Sequence, residues 1–372
     1  MSERIWDTRQ PLDPAFGTAW TAALADSHHA NFALDLEFLR WEAGRGRTGL
    51  AVLIDEPGRR AAFVLRREGP VMLCGWPWRW QAVICDPSRC GPVGIEEAEA
   101  AWLLERASRI AGGRQVRCHF PMRPPRGIAG FPVGRTLLYR IDRSDDELLK
   151  AMHPSKRRMV RRALSRGYEV VDATTAHHRR SFALIQQETR IRFGETVGAP
   201  PPLYPPSGLG WREWELPWMW LLVAQCDGRV ESGLGDGVRP GGVLEGRAGG
   251  STAEGQKDGA FALLSFEEAR RGRDRGHRLI NLGGDTVFKR EMVGRLAERV
   301  TIWCWLGGSV AWDLAGRAEV LVRTARRQTI ALVRRLRDGA GHAGARAVIP
   351  ALAVDEMIAL VNRLISCGAG VV

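Results

Sequence analysis

The chain has 372 residues, 45% of them hydrophobic and 26% charged, which describes a soluble globular protein too long for one ordinary domain. Its 54 Lys and Arg against 42 Asp and Glu leave a net charge of +12. Such a balance points toward polyanionic partners, with an indifferent arginine-rich surface as the competing reading. No apolar run approaches the roughly 18 residues of a membrane span, and the charged start MSERIWDTRQPLD has no apolar signal core, so a cytoplasmic address is expected without integral membrane association.

In chain order, residues 16–25 read as a helix, and 50–54, 60–66 and 71–75 as short strands. Residues 96–111 read as a helix with acidic residues in its first turn, which favours that end of the dipole. Strands follow at 116–120 and 135–141, an α/β plan on a mixed sheet. A second unit opens at Asp142, where Ser144 and Glu147 can form a capping box for a helix over 145–152. A helix over 155–166 is stopped by Gly167, and a strand (168–171) and a helix (177–192) come next. After a proline-rich and a tryptophan-rich segment, 220–226 and 229–235 read as paired strands with a turn at Asp227-Gly228. Strand 243–249, a loop, helix 261–275, strand 279–282, the Phe288-Lys289 loop and the apolar run 300–306 complete the unit. Beyond Gly308, a basic amphipathic helix over 317–337, a glycine-rich linker and a last helix over 349–365 are expected. The organisation is therefore 1–141, 142–308 and a basic helical extension 309–372, the first two similar in plan.

Several groups could carry chemistry. Lys156, Arg157, Arg158, Arg161, Arg162 and Arg166 crowd one helix and could form a phosphate-binding face. A solvated helix face is the plain alternative. Arg190 and Arg192 end a helix, where they could fork onto an anion or simply cap the C-terminus. Trp76, Trp78, Trp80, Trp211, Trp214, Trp218 and Trp220 could stack on a ligand or fill core. The run from Gly249 to Gly255 could hold a phosphate at a helix start, although the usual acyl-CoA glycine signature is not clear there. The seven cysteines are scattered, with no CxxC pair and no zinc-like spacing to histidine, so no metal is expected.

The most informative stretch is LINLGGDTVFKREMVG, residues 279–294. A strand end opens into a glycine turn and presents Phe288 and Lys289 on a loop, where functional groups concentrate. Lys289 beside an aromatic face could stabilise an oxyanion. Asp285 is either a proton acceptor or the cap of the Gly283-Gly284 turn. No Ser-His-Asp or Cys-His arrangement stands out, so no covalent intermediate is expected.

Three segments, in order, resemble the FemABX-like aminoacyltransferases of the wider GNAT (N-acyltransferase) superfamily. They are LLKAMHPSKRRMVRRALSRGYEVV (148–171), ETRIRFG (188–194) and residues 259–294 with their Phe-Lys-x-x-x-x-Gly tail. The resemblance implies a tandem GNAT fold, two mixed-sheet α/β domains, the first degenerate. It implies transfer of an amino acid from aminoacyl-tRNA to an amine on a peptidoglycan precursor or a peptide-like metabolite, with no resident cofactor. Phe288 and Lys289 match the family's Phe-Lys pair, and Arg192 matches an arginine that grips the acceptor's phosphates. The expected partners are the tRNA acceptor arm, held by Lys156, Arg157, Arg158, Arg161 and Arg162, and an amine acceptor bound near Arg190, Arg192 and Trp220. An acyl-CoA-dependent N-acyltransferase and a non-catalytic basic RNA- or membrane-surface-binding protein are the alternatives. The chain lacks the long coiled-coil insertion that some members carry and has few tyrosines in its second half.

Overall fold

A computed structural model describes residues 2–25, 32–46, 49–56, 59–68, 79–83, 97–112, 116–192 and 214–308. The expected strand 71–75, Phe193-Gly194, the proline-rich segment, Trp76, Trp78, Trp211 and the extension 309–372 lie outside these residues, as do the side chains of Trp80 and Arg190.

The first half runs β1 (Ser2–Asp7), α1 (Pro14–Ala25), α2 (Leu36–Gly44), β2 (Gly49–Glu56), β3 (Arg59–Glu68), β4 (Arg79–Val83), α3 (Glu97–Ile110), β5 (Val116–Phe120) and β6 (Ala129–Arg140). The second runs α4 (Asp145–Ala151), α5 (Pro154–Ser165), β7 (Glu169–Asp172), α6 (Ala176–Arg192), β8 (Met219–Cys226), β9 (Arg229–Gly237), β10 (Leu244–Ser251), α7 (Ala253–Asp258), α8 (Ala260–Asp274), β11 (Leu279–Gly284), α9 (Val287–Val293) and β12 (Ala297–Gly307). The mixed α/β class and most elements are those the sequence predicts. Ser144 and Glu147 form the expected capping box, Gly167 takes a positive φ after α5, and Asp227 and Gly228 both adopt positive φ in the turn between β8 and β9.

All 12 strands form one sheet in the order β1-β2-β3-β4-β5-β12-β6-β11-β10-β9-β8-β7. Read inward from either edge, the halves match: β1 to β5 correspond to β7 to β11. Each has a parallel pair, β4 with β5 and β10 with β11, bridged by helix. The final strands are exchanged. β6 pairs with β11 of the second half, while β12 returns to pair with β5 of the first. β6 and β12 then pair with each other from Ala297↔Tyr139 to Leu306↔Ala129. No sheet edge separates the halves.

Alternation along the strands sorts the core. In β2 and β3, Val52, Ile54, Phe63 and Leu65 face Leu103, Leu104 and Ala107 of α3. Ala51, Leu53 and Val64 face the opposite layer, where Trp20 and Phe38 lie. In β8 and β9, Leu222, Ala224 and Leu234 face α5 and α8, while Leu221 and Val223 face Phe182 and Trp214. On β9, a Cβ added to Gly233, Gly235 or Gly237 would lie 2.2–2.3 Å from the rings of Phe182, Trp214 and Phe32. Glycine is what lets these rings lie directly on the strand. Of the tryptophans read as ligand or core, Trp214 and Trp218 are buried core.

Candidate active site

β10 and β11 pair in parallel only at Leu244↔Ile280 and Glu245↔Asn281. Beyond this β10 bulges between Gly246 and Ala248, and β11 shifts register against β6 between Asn281 and Gly284. The ladder between the two strands ends here and they part. The Asn281 side chain sets the turn: it accepts from the Gly283 amide at 3.1 Å and from the Thr136 hydroxyl, and Gly283 has φ of 63°. Asp285 therefore does not cap this turn. It sits between Arg290 (2.8 Å) and Arg299, its side chain only 6% exposed. Burial works to raise its pKa, but hydrogen bonds from Arg299 and Arg290 outweigh this and hold it below the ordinary value. A carboxylate clamped by two guanidiniums is a weak proton acceptor.

Phe288 and Lys289 lie not on a loop but in the first turn of α9, because the Thr286 side chain caps the helix by accepting from the Lys289 amide. The Lys289 ammonium, half-buried, donates to the Leu282 carbonyl at the parting of the strands. One of its three N–H groups is thus occupied, and the other two meet no acceptor among the described residues. Burial lowers its pKa, and the charge of Glu268 works against that. The expected cation–π partnership is corrected: the cation over the Phe288 ring is Lys156, 4.4 Å from its centroid, with Phe261 packed on it at 5.7 Å.

Lys156 is consequently not part of a surface for phosphate. Its side chain is 12% exposed and also pairs with Glu291 of α9 at 3.2 Å. Together with the His153 amide donating to the Glu291 carbonyl (2.8 Å), this docks α9 against the α4–α5 corner. Gly294 completes the dock. It has φ of 52°, and a Cβ there would lie 1.8 Å from the Ala151 carbonyl oxygen. That is the physical meaning of the glycine in the Phe-Lys-x-x-x-x-Gly pattern.

The other expected ligand groups fall elsewhere. Arg158, Arg161, Arg162 and Arg166 are exposed along α5, whereas Arg157 is half-buried and reaches the Lys150 carbonyl. Arg162 donates to the Lys257 carbonyl (3.1 Å) and Arg166 lies 3.9 Å from Asp258. Arg192 has both terminal nitrogens engaged, with Gln256 (2.8 Å), Glu188 (2.7 Å) and the Ser251 carbonyl (2.9 Å), so it ties the end of α6 to the end of β10 instead of standing free for an anion. Trp220 is core: 5% exposed, it donates its indole N–H to Asp172 (2.6 Å) beneath the Arg275 guanidinium. At the helix start after β10, Thr252 caps α7 with its own side chain, and its hydroxyl donates to the buried Glu231 carboxylate.

Sequence reasoning missed a buried pair. Asp236 of β9 is 0% exposed and Glu268 of α8 is 2% exposed. Asp236 Oδ1 and Oδ2, Glu268 Oε1 and the Tyr139 hydroxyl are buried with no hydrogen-bond partner among the described residues. Burial raises the pKa of both acids, that of Asp236 to about 7, and for Glu268 the charge of Asp236 adds to the effect. The signal was available: 260, 264, 268 and 272 form one i, i+4 row on α8, otherwise filled by Ala260, Leu264 and Gly272.

With this geometry in view, one solved structure decides the fold. The chain superimposes on FemX with a TM-score of 0.59 at 12% identity, covering 82% of this chain and 97% of that one. This is the FemX fold. A conserved protein of unknown function from Bacteroides thetaiotaomicron VPI-5482 shares it, with a TM-score of 0.51 at 13% identity, over 80% of this chain and 98% of that one. No protein-family model matches the sequence, and neither does any curated protein. The FemX fold expected from the three segments is therefore found, with the Phe288-Lys289 pair at the parting of β10 and β11. Among the described residues, no helix is long and apolar enough to cross a membrane, and no group of His, Cys, Asp and Glu is arranged to hold a metal ion.

Proposed function

We propose that this protein is an amide-forming acyltransferase that moves an aminoacyl group from aminoacyl-tRNA to an amine acceptor, a peptidoglycan precursor or a peptide-like metabolite. The observation that carries the reading is the Lys289 ammonium, held at the parting of β10 and β11 with two N–H groups that meet no acceptor among the described residues. An extended acyl donor can hydrogen-bond to the strand backbone there, with its carbonyl oxygen toward Lys289. The amine attacks the ester carbon, and the electron pair of the C=O bond moves to oxygen, where the ammonium stabilises it. Collapse reforms the carbonyl and expels the ribose oxygen, which takes up a proton as the amine loses one. This reaction needs orientation and charge stabilisation, and no covalent intermediate.

The exposed arginines of α5, Arg158 and Arg161 first, are the proposed contact for the tRNA acceptor arm, in keeping with the net charge of +12. In this account Phe288 and Lys156 hold Lys289 in place, Asp285 braces the turn, and Arg192 braces the end of β10. Aminoacyl-tRNA as donor implies work in the cytoplasm without a resident cofactor.

The test is a donor screen against a cell extract as acceptor, using tRNA charged with labelled amino acids and, separately, labelled acetyl-CoA. Ribonuclease-sensitive transfer of label into small amides is the predicted result. Label arriving only from acetyl-CoA would overturn the tRNA reading. Salt-sensitive RNA binding with no transfer from either donor would make this a binding protein.

A further inference from the structure

We propose that the buried carboxyl pair Asp236–Glu268 is the counter-charge that keeps Lys289 cationic at the parting of β10 and β11, making both acids positioning residues for the transfer. The inference rests on the role given to Lys289 above.

The geometry runs across three strands. Asp236 on β9 pairs with Gly246 on β10. A Cβ on Gly246 would lie 3.1 Å from the Asn281 carbonyl oxygen and 3.5 Å from the Leu282 backbone, so glycine keeps the two strands close at the last step before they part. The Leu282 carbonyl accepts from Lys289. From the other side of the pair, Glu268 on α8 interacts electrostatically with Lys289. The charged and titratable groups that face the pair are Lys289 from α9, Tyr139 from β6 and Glu245 from β10.

Neither acid takes part in an ion pair within 4 Å among the described residues, unlike Glu231 with Arg229 (3.0 Å) or Asp258 with Arg166 (3.9 Å). Two facing carboxylates in an apolar core cannot both ionise. Once Asp236 loses its proton at about pH 7, one proton is left between them and the pair carries one negative charge. As a stability device this is poor, since apolar side chains of similar volume generally serve as well or better. As a charge beside a desolvated ammonium it has a clear use: it offsets the burial that lowers the pKa of Lys289.

The chain contains only four lysines, at 150, 156, 257 and 289, so Lys289 can be followed by NMR of lysine-labelled protein, its signal assigned with Lys289→Arg. In Glu268→Gln the amide donates to an ionised Asp236, the charge is retained, and Lys289 should titrate as in the wild type. In Asp236→Asn/Glu268→Gln the charge is gone, and the Lys289 pKa should fall by about one unit or more. Asp236→Asn/Glu268→Leu carries the same prediction without a buried amide, should the first double variant fail to fold. An unchanged Lys289 titration in either folded, neutral variant overturns the proposal. The readout needs no substrate, so a protein inactive with every donor but showing the predicted shift would refute the functional reading and leave the counter-charge standing.

Discussion

β3 and β9 occupy matching places, each third from an outer edge of the sheet, and they are built differently. β3 buries Phe63, Val64 and Leu65, side chains that fill both layers. β9 places Gly233, Gly235 and Gly237 under aromatic rings on one face and Ser232, Leu234 and Asp236 on the other. Buried carboxylates differ as well: Glu42 of the first half is matched by Arg66 at 3.3 Å, and Glu231 and Asp258 of the second by Arg229 and Arg166, whereas Asp236 and Glu268 have no arginine or lysine within 4 Å among the described residues. One copy of the plan is a compensated scaffold. The other gives up packing and charge balance around the parting strands, the kind of local cost associated with functional sites. The exchanged β6 and β12 join the two, so the scaffold holds the costly half in register.

The largest test of this contrast is the pH dependence of stability. Asp236 has its pKa raised to about 7, so its contribution is fully present below the ordinary carboxylate range and is lost as pH rises toward and through 7. The stability advantage of Asp236→Asn/Glu268→Gln over the wild type should therefore grow between about pH 4 and pH 7, by an amount on the order of a few kcal/mol, in urea melts. A constant difference would mean the pair is not strained. Next in size, Gly235→Ala should destabilise by about 1–3 kcal/mol, because its Cβ would meet the Trp214 ring at 2.3 Å. Ala62→Gly on β3, which removes one partly buried methyl group, should show a smaller loss. Ser144→Ala removes the box that starts α4 and should cost about 1 kcal/mol by thermal melt. Smallest, Arg158→Ala/Arg161→Ala should leave stability within about 0.5 kcal/mol. On the tRNA reading the same change lowers the slope of log affinity against log salt by roughly one per arginine.

Much of this fold was legible in the sequence because its signals are local. Val116–Phe120 alternates cleanly, the Ser144–Glu147 box marks a helix start, and Asp227-Gly228 marks a hairpin. β1 and β4 were not read, and α7 was read as loop; each is short and takes its definition from partners distant in sequence. The exchange of β6 and β12 has no local signature at all. The site divides the same way. Lys289 stands out in a glycine-flanked run, but the partner of Phe288 could not be seen, since Lys156 is 132 positions away (288 − 156) and was assigned to the surface by its charge alone. Asp236 and Glu268 were missed for a related reason. Neither is unusual until the register of β9 and the inner row of α8 are known to face each other.

The most direct test of placing the chemistry in the second half compares two cations in one transfer assay. Lys289 stands after β11, and Arg123 stands after the matching β5, where its guanidinium lies 5.8 Å from the Trp303 ring. With the donor identified by the screen, Lys289→Ala should lose about 10²–10³-fold in rate, as for removal of an oxyanion donor, while its thermal melt shows it folded. Arg123→Ala should retain the wild-type rate. A folded Lys289→Ala protein with full activity, or a comparable loss in Arg123→Ala, would contradict the account.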